Sequence, residues 1–392
     1  MHRHQLSLKK DNEYSILRGH PWAFAEAFKT IPEGIKTGDI AEVYSHKNIL
    51  LGTGYVDAES KILVRMIPLN SGEDFEKGIA RLVKQAVAYR KEFFNEPERT
   101  NAYRVINGEG DGIPGLIADY YAGAVSLQIY SLGLQPFVPT VCKALRESLG
   151  NVRWIYQRNQ IRLAKSDSAK LVFGKNLPEK IEFKENGLKF STDLINGQKT
   201  GFFLDQRENR HLIRSISKGK TLLNVCGYTG AFTVAAIAGG CKSSVTVDIA
   251  KPALVEAEQN LRLNNFFNSN HKLVTSDMYD YLEQCKDKSF DIVVLDPPSM
   301  AKNKKDVEKA VRAYKKLNKA GVRVVKSGGY LYTASCTSQV TRQEFLNAVK
   351  DGIAGAGRRA VVVRESFHTF DHPTSLAHPE GPYLKGILLR IY

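Results

Sequence analysis

The segment that decides the fold is Thr221-Leu-Leu-Asn-Val-Cys-Gly-Tyr-Thr-Gly-Ala-Phe232. It opens with a mostly apolar run of strand length, and the small residues that begin at Ala231 are typical of a helix packed on a sheet. Gly227 and Gly230 lie between these two elements, where glycine permits a tight turn and a close approach of the backbone to a ligand. They can also serve only to shape the turn. The Gly-x-Gly pair of the dinucleotide fingerprint is missing, so NAD is disfavoured.

A regular alternation of strands and helices follows this segment. The spacing predicts strands at residues 221–226, 244–249, 271–277, 290–296, 330–335, 359–364 and 384–392, and helices at 252–263, 307–325 and 343–353. No convincing helix separates the last two strands, and parallel neighbours need a crossover of a dozen or more residues, so this pair is predicted to be antiparallel. Seven strands with one reversed near the end are typical of the α/β, Rossmann-like fold of S-adenosylmethionine-dependent methyltransferases.

Polar side chains end four successive strands of this predicted sheet. In open α/β sheets, ligands bind at the carboxyl ends of the strands. Asp248 lies 24 residues after Asn224 and can accept hydrogen bonds from both ribose hydroxyls, and Asp277 can receive an amino group such as that of adenine. Each acid alone can instead be a helix cap. The predicted S-adenosylmethionine site comprises Asn224, Gly227, Tyr228, Thr229, Gly230, Asp248, Asp277 and Asp296.

Asp296-Pro-Pro298 and Cys336 are the predicted catalytic residues. The prolines force a rigid, extended exit from the fourth strand, which directs Asp296 toward the crevice. This motif occurs in enzymes that methylate amino groups and in enzymes that methylate carbon, so it leaves the reaction open. A thiolate that adds to C6 of cytosine makes C5 able to take a methyl group, and Cys336 at the end of the adjacent fifth strand is placed for this. The alternative is a buried structural thiol, the interpretation favoured for Cys226.

Composition and charge limit the remaining possibilities. The chain has 392 residues, of which 43% are hydrophobic and 25% charged, as in globular proteins. No apolar run reaches the roughly 20 residues of a membrane span, and no signal-peptide core precedes residue 11, so a cytoplasmic protein without membrane contact is expected.

The net charge is +15, and ten basic residues lie within 302–326. This stretch is either a phosphate-binding surface or a solvated helix face.

Three parts of the chain differ in pattern. Residues 1–71 carry short strand signals and regular glycines, which favour a small β-barrel. Residues 72–190 are predicted to form an α+β module with helices at 75–94 and 138–149, and residues 191–392 are predicted to form the methyltransferase domain.

The five cysteines lack metal-binding spacing. His368, Asp371, His372 and His378 lie among prolines that indicate an irregular loop, so no metal site is predicted.

Longer motifs carry a resemblance. They are Gly19-His-Pro-Trp-Ala-Phe24, Leu51-Gly-Thr-Gly-Tyr55, Asn107-Gly-Glu-Gly-Asp-Gly-Ile-Pro-Gly-Leu116, Lys199-Thr-Gly-Phe-Phe-Leu-Asp-Gln-Arg-Glu-Asn-Arg210, Asp371-His-Pro373 and Pro379-Glu-Gly-Pro-Tyr-Leu-Lys-Gly386. The whole chain resembles the ribosomal large-subunit cytosine-C5 methyltransferases, class I enzymes with an N-terminal PUA domain.

The resemblance implies methylation of cytosine C5 in 23S ribosomal RNA, free or in the assembling large subunit. Cys336 falls on the nucleophile position. Phe203, Asp205, Gln206 and Arg207 would help to frame the cofactor and substrate pocket, with Asp205, Gln206 and Arg207 in contact with the cofactor. The family often has Ser-Cys-Ser where this chain has Ser-Cys-Thr-Ser-Gln, a difference that bears on the choice of target.

Two other functions stay open, a guanine N-methyltransferase and an inactive RNA-binding protein, and a homodimer is possible. A target base must be unpaired or flipped to reach the crevice. Lys302, Lys304 and Lys305 are predicted to grip phosphates near the site, and Arg18 and Trp22 to form an RNA-binding patch on the N-terminal part.

Overall fold

The computed structural model describes residues 2–159, 169–197 and 200–392. The chain folds into two compact units: unit one comprises Met1–Phe183, Thr192–Leu204 and Phe370–Gly381, and unit two comprises Lys184–Ser191, Asp205–Thr369 and Pro382–Tyr392. The predicted three-part division at residues 71 and 190 is not tested by this grouping and stays a prediction. Within the described ranges, no helix has the length and apolarity that a bilayer span requires.

The N-terminal part of unit one is a five-stranded sheet in the order β1-β3-β4-β5-β2. Its core includes Leu6, Val43 and Val64, all buried. β1 pairs with β3 in parallel, and the other neighbours are antiparallel. The elements are β1 Arg3–Ser7, α1 Tyr14–Leu17, β2 Trp22–Phe24, β3 Ile40–Tyr44, β4 Leu50–Val56 and β5 Ile62–Ile67.

A second five-stranded sheet in unit one has the order β10-β9-β8-β7-β6 and packs with two helices. The elements are α2 Phe75–Phe93, β6 Ala102–Asn107, β7 Leu116–Tyr121, β8 Ala124–Ile129, α3 Val138–Leu149, β9 Trp154–Asn159 and β10 Ala169–Phe173. The two helices agree with those predicted. Asp74 caps α2 by accepting hydrogen bonds from two backbone N–H groups. Tyr55 and Ile67 of the first sheet share one hydrophobic core with Phe75 and Phe137, which explains why both sheets belong to one unit.

The segment Phe370–Gly381 belongs to unit one although unit two surrounds it in sequence. Asp371 explains this, because its backbone carbonyl accepts a hydrogen bond from the buried Arg90 guanidinium and its side chain accepts one from the Arg104 backbone N–H, each at 2.9 Å. Arg90 also pairs with Asp111. Buried hydrogen bonds of this kind cannot be recognised from hydrophobic periodicity, so the sequence did not predict the return of this segment.

Unit two is built on a seven-stranded sheet in the order β15-β14-β13-β16-β17-β19-β18. β19 is antiparallel to both neighbours, as predicted for the last pair, and the remaining neighbours are parallel. The elements are α4 Arg207–Ile216, β13 Thr221–Val225, α5 Ala231–Ala238, β14 Ser243–Asp248, α6 Lys251–Leu263, β15 His271–Thr275, α7 Met278–Gln284, β16 Phe290–Leu295, α8 Val307–Arg323, β17 Val325–Ser335, α9 Arg342–Gly355, β18 Ala360–Ser366 and β19 Lys385–Ile391. β11 (Ile181–Glu185) and β12 (Leu188–Thr192) form a separate two-stranded sheet.

The apolar run of β13 follows from burial on both faces of this sheet. Successive side chains of a strand point to opposite faces. Leu222 accordingly packs with Ile213 of α4 and Phe232 of α5, and Leu223 belongs to the core that contains Tyr314 of α8. A strand covered on both sides favours apolar residues on both faces, which is why Leu222 and Leu223 are adjacent rather than alternating with polar residues. The parallel strands therefore end together at one edge of the sheet.

Candidate active site

The turn between β13 and α5 has an unusual backbone. Cys226, Tyr228 and Gly230 have φ angles of 57°, 46° and 72°, in the left-handed region that bulky residues rarely adopt. A Cβ on Gly227 would lie 2.3 Å from Thr246 Cγ2, so this position requires glycine. Strained backbone conformations cluster at ligand sites. The turn thus has the close-approach geometry that the sequence predicted.

Asp248, at the end of β14, links the β13–α5 turn to the segment that follows β14. One carboxylate oxygen accepts a hydrogen bond from the Tyr228 backbone N–H and the other from the Ala250 backbone N–H, each at 2.9 Å. An ionised carboxylate has about four acceptor positions, so the two protein bonds leave acceptor capacity for ribose hydroxyls. The predicted contact with ribose stays a prediction.

Asp277 is the N-cap of α7, the structural alternative that the sequence left open. Its Oδ1 accepts hydrogen bonds from the backbone N–H groups of Tyr279 and Asp280, at 2.7 and 3.4 Å. Within the described part of the chain, no donor bonds to Oδ2. The cap fixes the carboxylate at the strand end and leaves one oxygen for a ligand, so the two interpretations are compatible.

Asn224 and Thr229 supply buried polar atoms around the turn. The Asn224 side-chain amide donates to Thr233 Oγ1 at 3.1 Å, and its carbonyl oxygen is buried without a partner in the described structure. The buried Thr229 hydroxyl likewise lacks a partner there. Buried polar atoms are costly unless they bond, and these two fit a site that is completed by a polar cofactor. Asn224 also lies against Gly227, so it supports the turn directly.

Three carboxylates converge on the Cys226 thiol. Burial, and then the negative charges of Asp248, Asp296 and Asp277, together raise its pKa to about 12. Cys226 Sγ is 3.5 Å from Met278 Sδ. Because this thiol stays protonated at neutral pH, it is unsuited to act as a nucleophile, in agreement with its interpretation as a packing residue. The three acids of neighbouring strand ends are thereby shown to share one locality.

Asp296 is held by Gln206, which lies just before α4. The Gln206 side-chain amide donates to Asp296 Oδ1 at 3.0 Å, and the Gln206 carbonyl oxygen accepts from the buried Tyr332 hydroxyl at 3.3 Å and from the Asn209 side chain. Burial, and then the charge of Asp296, raise the pKa of Tyr332, so this phenol remains a donor. The predicted pocket residue Gln206 therefore orients the predicted catalytic carboxylate.

Cys336 follows β17, the strand that pairs with β16. Its Sγ lies 4.0 Å from the backbone carbonyl oxygen of Pro297, beside the Asp296-Pro-Pro298 exit as predicted. The side chain is half-buried, so the thiol is not sealed in the hydrophobic core. A role as nucleophile stays a prediction, whereas the nearness to Pro297 is observed.

The neighbouring residues Asp205 and Arg207 are both buried. Asp205 accepts a hydrogen bond from the Tyr383 hydroxyl at 2.7 Å. Arg207 Nε lies 3.4 Å from Glu185, which Arg210 also binds through both carboxylate oxygens. The ion pair gives Arg207 a structural function, and the predicted contacts of Asp205 and Arg207 with the cofactor stay predictions. Lys199, which begins the quoted block, lies outside the described residues.

The predicted RNA-binding residues differ in exposure. Lys302, Lys304 and Lys305 are exposed just before α8, and their ammonium groups form no ion pair with the described residues. Arg18 is exposed too. Trp22 is half-buried, its indole N–H donates to Glu109 at 2.9 Å, and its ring lies 4.4 Å from that of His378. Trp22 is thus packed within unit one, and an RNA contact for it stays a prediction.

The histidines near the C-terminus have structural roles. His368 accepts a hydrogen bond from the Leu384 backbone N–H at 3.2 Å, and His372 lies 3.0 Å from the carboxylate of Asp371. Over residues 2–159, 169–197 and 200–392, no cluster of three His, Cys, Asp or Glu side chains is arranged to hold a metal ion.

Two residues near the predicted site were not identified from sequence. Ile249 directly follows Asp248 and is 70% exposed, which is unusual for an apolar side chain. Lys385 begins β19 and is buried, with its Nζ bonded to the loop that follows Cys336. The position of Ile249 directly after the strand-end Asp248 could have identified it from the sequence. No sequence feature identified Lys385, because it is distant in the chain from Cys336.

Comparison with known proteins identifies two domain families in the chain. Residues 126–349 match the family model described as S-adenosylmethionine-dependent methyltransferase, and residues 6–68 match a PUA-like domain. S-adenosylmethionine, predicted from the strand ends, is the cofactor of the matched family.

The chain is also similar over its whole length to proteins named ribosomal RNA large subunit methyltransferase I. The identity is 33% with the protein of Alteromonas mediterranea, over 99% of this chain and 98% of the relative. It is 34% with the protein of Shewanella frigidimarina, over 99% of each chain, and 34% with that of Aeromonas salmonicida, over 98% of each.

Solved structures show the same fold. A methyltransferase in complex with SAH superposes with a TM-score of 0.85 at 24% identity over 100% of both chains. A structure described as a SAM-dependent methyltransferase from Streptococcus mutans superposes with a TM-score of 0.83 at 23% identity, over 98% of this chain and 99% of that one. The chain belongs to the S-adenosylmethionine-dependent methyltransferases with a PUA-like N-terminal domain, the family that includes the ribosomal RNA large subunit methyltransferase I proteins.

Proposed function

We propose that the protein methylates C5 of a cytosine in large-subunit (23S) ribosomal RNA, with Cys336 as the nucleophile. The observation that carries the proposal is the 4.0 Å separation of Cys336 Sγ and the Pro297 carbonyl oxygen, because it joins a thiol to the Asp-Pro-Pro segment that ends β16. The names of the full-length relatives supply the substrate class.

The cofactor would bind along the carboxyl ends of β13, β14 and β15. The turn at Gly227 permits a close approach of the backbone, the second acceptor positions of Asp248 suit ribose hydroxyls, and Asp277 Oδ2 suits an amino group. When bound, S-adenosylmethionine supplies an electrophilic methyl group. Ile249 would cover one face of the adenine ring.

The protein's own residues divide the reaction into steps. Cys336 Sγ, as a thiolate, forms a bond to C6 of the cytosine, and the electron pair released from the C5–C6 double bond makes C5 nucleophilic. After C5 carries the methyl group, a base removes the C5 proton, and the electron pair of that C–H bond restores the double bond and expels Sγ. Asp296, held by Gln206 at 3.0 Å, would hold the N3 and amino edge of the ring throughout.

RNA would be gripped by exposed basic residues before α8, namely Lys302, Lys304 and Lys305. Phosphate contacts of this kind position a strand without reading its sequence. We also propose that the N-terminal sheet closes into a PUA-like barrel. This barrel would contribute to target choice, with Arg18 on its exposed surface. The enzyme would act in the cytoplasm, and a homodimer is the oligomer to test.

The experiment is a nucleoside analysis. Large-subunit RNA from cells that lack the modification is incubated with the enzyme and methyl-labelled S-adenosylmethionine, digested, and analysed by mass spectrometry. Labelled 5-methylcytidine is the expected product. Labelled methylguanosine without 5-methylcytidine would contradict the proposal and favour guanine N-methylation, which the Asp-Pro-Pro motif also suits.

Calorimetry separates the remaining alternative. An active enzyme is expected to bind S-adenosylmethionine, or its demethylated product S-adenosylhomocysteine, in the absence of RNA. Failure to bind either, with RNA binding retained, would identify an RNA-binding protein with an inactive methyltransferase fold.

A further inference from the structure

Lys385 is a buried lysine next to the predicted nucleophile. It is the first residue of β19 and lies opposite Ser335 in the β17–β19 pair, so its neighbour across the sheet is the residue before Cys336. Only 6% of its surface is exposed. Lysine is almost never this buried without a paired charge, and the position therefore needs an explanation.

The Lys385 ammonium is bonded to the loop that follows Cys336. Its Nζ donates to the backbone carbonyl oxygens of Thr337 and Val340, each at 2.8 Å. An ammonium group has three N–H donors, and within the described residues no other group accepts the third. Thr337 is also held through its hydroxyl, which contacts the Tyr314 hydroxyl at 2.7 Å and accepts from the Met300 backbone N–H at 3.0 Å. The backbone beside Cys336 is thereby fixed from three elements.

No carboxylate among the described residues forms an ion pair with Lys385. The two titratable groups whose charges act on it are Cys336 and Glu344. Glu344 is committed elsewhere, because its carboxylate accepts from the backbone N–H and hydroxyl of Thr341 in the capping box of α9, at 2.7 and 2.8 Å. The two carbonyl oxygens are neutral. Of the two groups, a thiolate at Cys336 therefore acts more strongly on this ammonium than Glu344 does.

Electrostatics between the two groups is reciprocal. Burial lowers the pKa of Lys385 and negative charges on Cys336 and Glu344 partly offset this effect, so that the pKa is about 8. An interaction that favours the ammonium when the thiolate is present favours the thiolate equally when the ammonium is present. Below pH 8 the lysine is mostly charged, which is the range in which an unassisted thiol would remain protonated.

We propose that Lys385 is a positioning residue that fixes the loop after Cys336 and places a positive charge beside its thiol, so that Cys336 loses its proton to solvent at a lower pH than a free cysteine does. The inference rests on the proposed function only for the use to which the thiolate is put. The thiolate itself can be measured without RNA or cofactor.

The test is the pH dependence of alkylation. The full-length protein is treated with iodoacetamide from pH 5.5 to 10, and the modification of the peptide that contains Cys336 is followed by mass spectrometry. In the unsubstituted protein the midpoint is expected to lie below about 8.5, the value of a free cysteine. A midpoint at or above that value overturns the proposal whether or not any variant folds.

Variants separate the charge of Lys385 from its structural contacts. Lys385→Met removes the charge and is expected to raise the Cys336 midpoint by about one unit or more, the usual effect of a nearby opposite charge. Lys385→Gln keeps a neutral N–H donor on a slightly shorter side chain, so it is expected to raise the midpoint too, whereas Lys385→Arg is expected to keep it low. Cys285, half-buried at the end of α7, is the internal control, and its alkylation should not change. Equal Cys336 midpoints in the Met, Gln and unsubstituted proteins would contradict the inference.

Methylation assays distinguish failure of the inference about Lys385 from failure of the proposed cytosine methylation. With thiolate limiting, Lys385→Gln should lower the methylation rate at pH 7 about tenfold and recover most of it at pH 9, since one pKa unit changes the thiolate fraction tenfold. If the alkylation midpoint shifts but the unsubstituted protein makes no 5-methylcytidine, the proposed function fails and the inference stands. If 5-methylcytidine forms and the midpoint does not shift, only the inference fails.

Discussion

The Gln206 side-chain amide donates a 3.0 Å hydrogen bond to the Asp296 carboxylate. Two motifs that are 90 residues apart in the chain thus form one unit at the carboxyl ends of the strands. Gln206 is in turn fixed by the Tyr332 hydroxyl at 3.3 Å. Orientation by a neighbouring amide gives Asp296 a defined direction in the crevice.

Removing this amide should impair catalysis more than cofactor binding. Gln206→Leu is expected to lower kcat for 5-methylcytidine formation by about tenfold, because displacement of a catalytic group by even an ångström is costly. It should also lower the free energy of unfolding by about 1–3 kcal/mol, since buried donors lose their acceptor. Affinity for S-adenosylmethionine, measured by calorimetry, should fall by a smaller factor than kcat. The control is Gln343→Leu on the exposed start of α9, and equal kcat values in the two variants would refute the role of Gln206.

Gly227→Ala tests the cofactor turn. The added Cβ would lie 2.3 Å from Thr246 Cγ2, which neither backbone can avoid without moving. We expect S-adenosylmethionine binding to fall below detection by calorimetry while the protein stays folded by circular dichroism. Gly355→Ala, in α9, is the matched control because its Cβ meets only the flexible end of Lys319 at 3.6 Å. That change should leave binding intact, and undiminished binding in Gly227→Ala would argue against the turn as the site.

The lysines before α8 should contribute to RNA affinity through their charge. Each phosphate contact adds roughly −0.7 to −0.9 to the slope of log affinity against log salt concentration. Replacing the three lysines by glutamine should therefore reduce the slope by about two to three and weaken binding most at low salt. These residues are Lys302, Lys304 and Lys305. The control replaces three lysines that precede parallel strands at the opposite edge of the sheet, namely Lys218, Lys242 and Lys288. Equal slopes for the two triple variants would exclude the proposed surface.

His271 predicts an acid-sensitive step in the stability of unit two. Burial lowers its pKa, and its Nδ1 lies 2.9 Å from the Ser244 hydroxyl. A base whose pKa is lower in the folded protein binds fewer protons there than in the unfolded chain, so stability falls as pH decreases through and below about 6.5. His271→Gln should lose less stability between pH 7 and 5.5, measured by urea denaturation. An identical pH dependence in both proteins would exclude His271 as the cause.

Much of unit two could be predicted from hydrophobic periodicity, because β13, β16 and β17 are mostly buried and the helices α6, α8 and α9 are amphipathic. The antiparallel pairing of β18 and β19 followed from the absence of a crossover helix. Two helices were missed for physical reasons. α4 is dominated by charged residues, two of which are buried with Glu185, and α7 has only seven residues.

The candidate site could be predicted in part from the sequence. Acids at strand ends are recognisable from spacing, and Asp248, Asp277 and Asp296 do share one locality. Their protein partners were not predictable, since the cap formed by Asp277 and the bond from Gln206 to Asp296 depend on side-chain geometry. Lys385 was invisible for the same reason: only the folded sheet brings it beside the loop after Cys336.

The central claim is that Cys336 is the nucleophile, and its substitution is the most direct test. Cys336→Ala and Cys285→Ala are compared in the formation of labelled 5-methylcytidine on undermodified large-subunit RNA, with S-adenosylmethionine binding measured in parallel. Cys336→Ala is expected to lose all detectable product while it still binds the cofactor, and Cys285→Ala to retain full activity. Normal 5-methylcytidine formation by Cys336→Ala would contradict the claim.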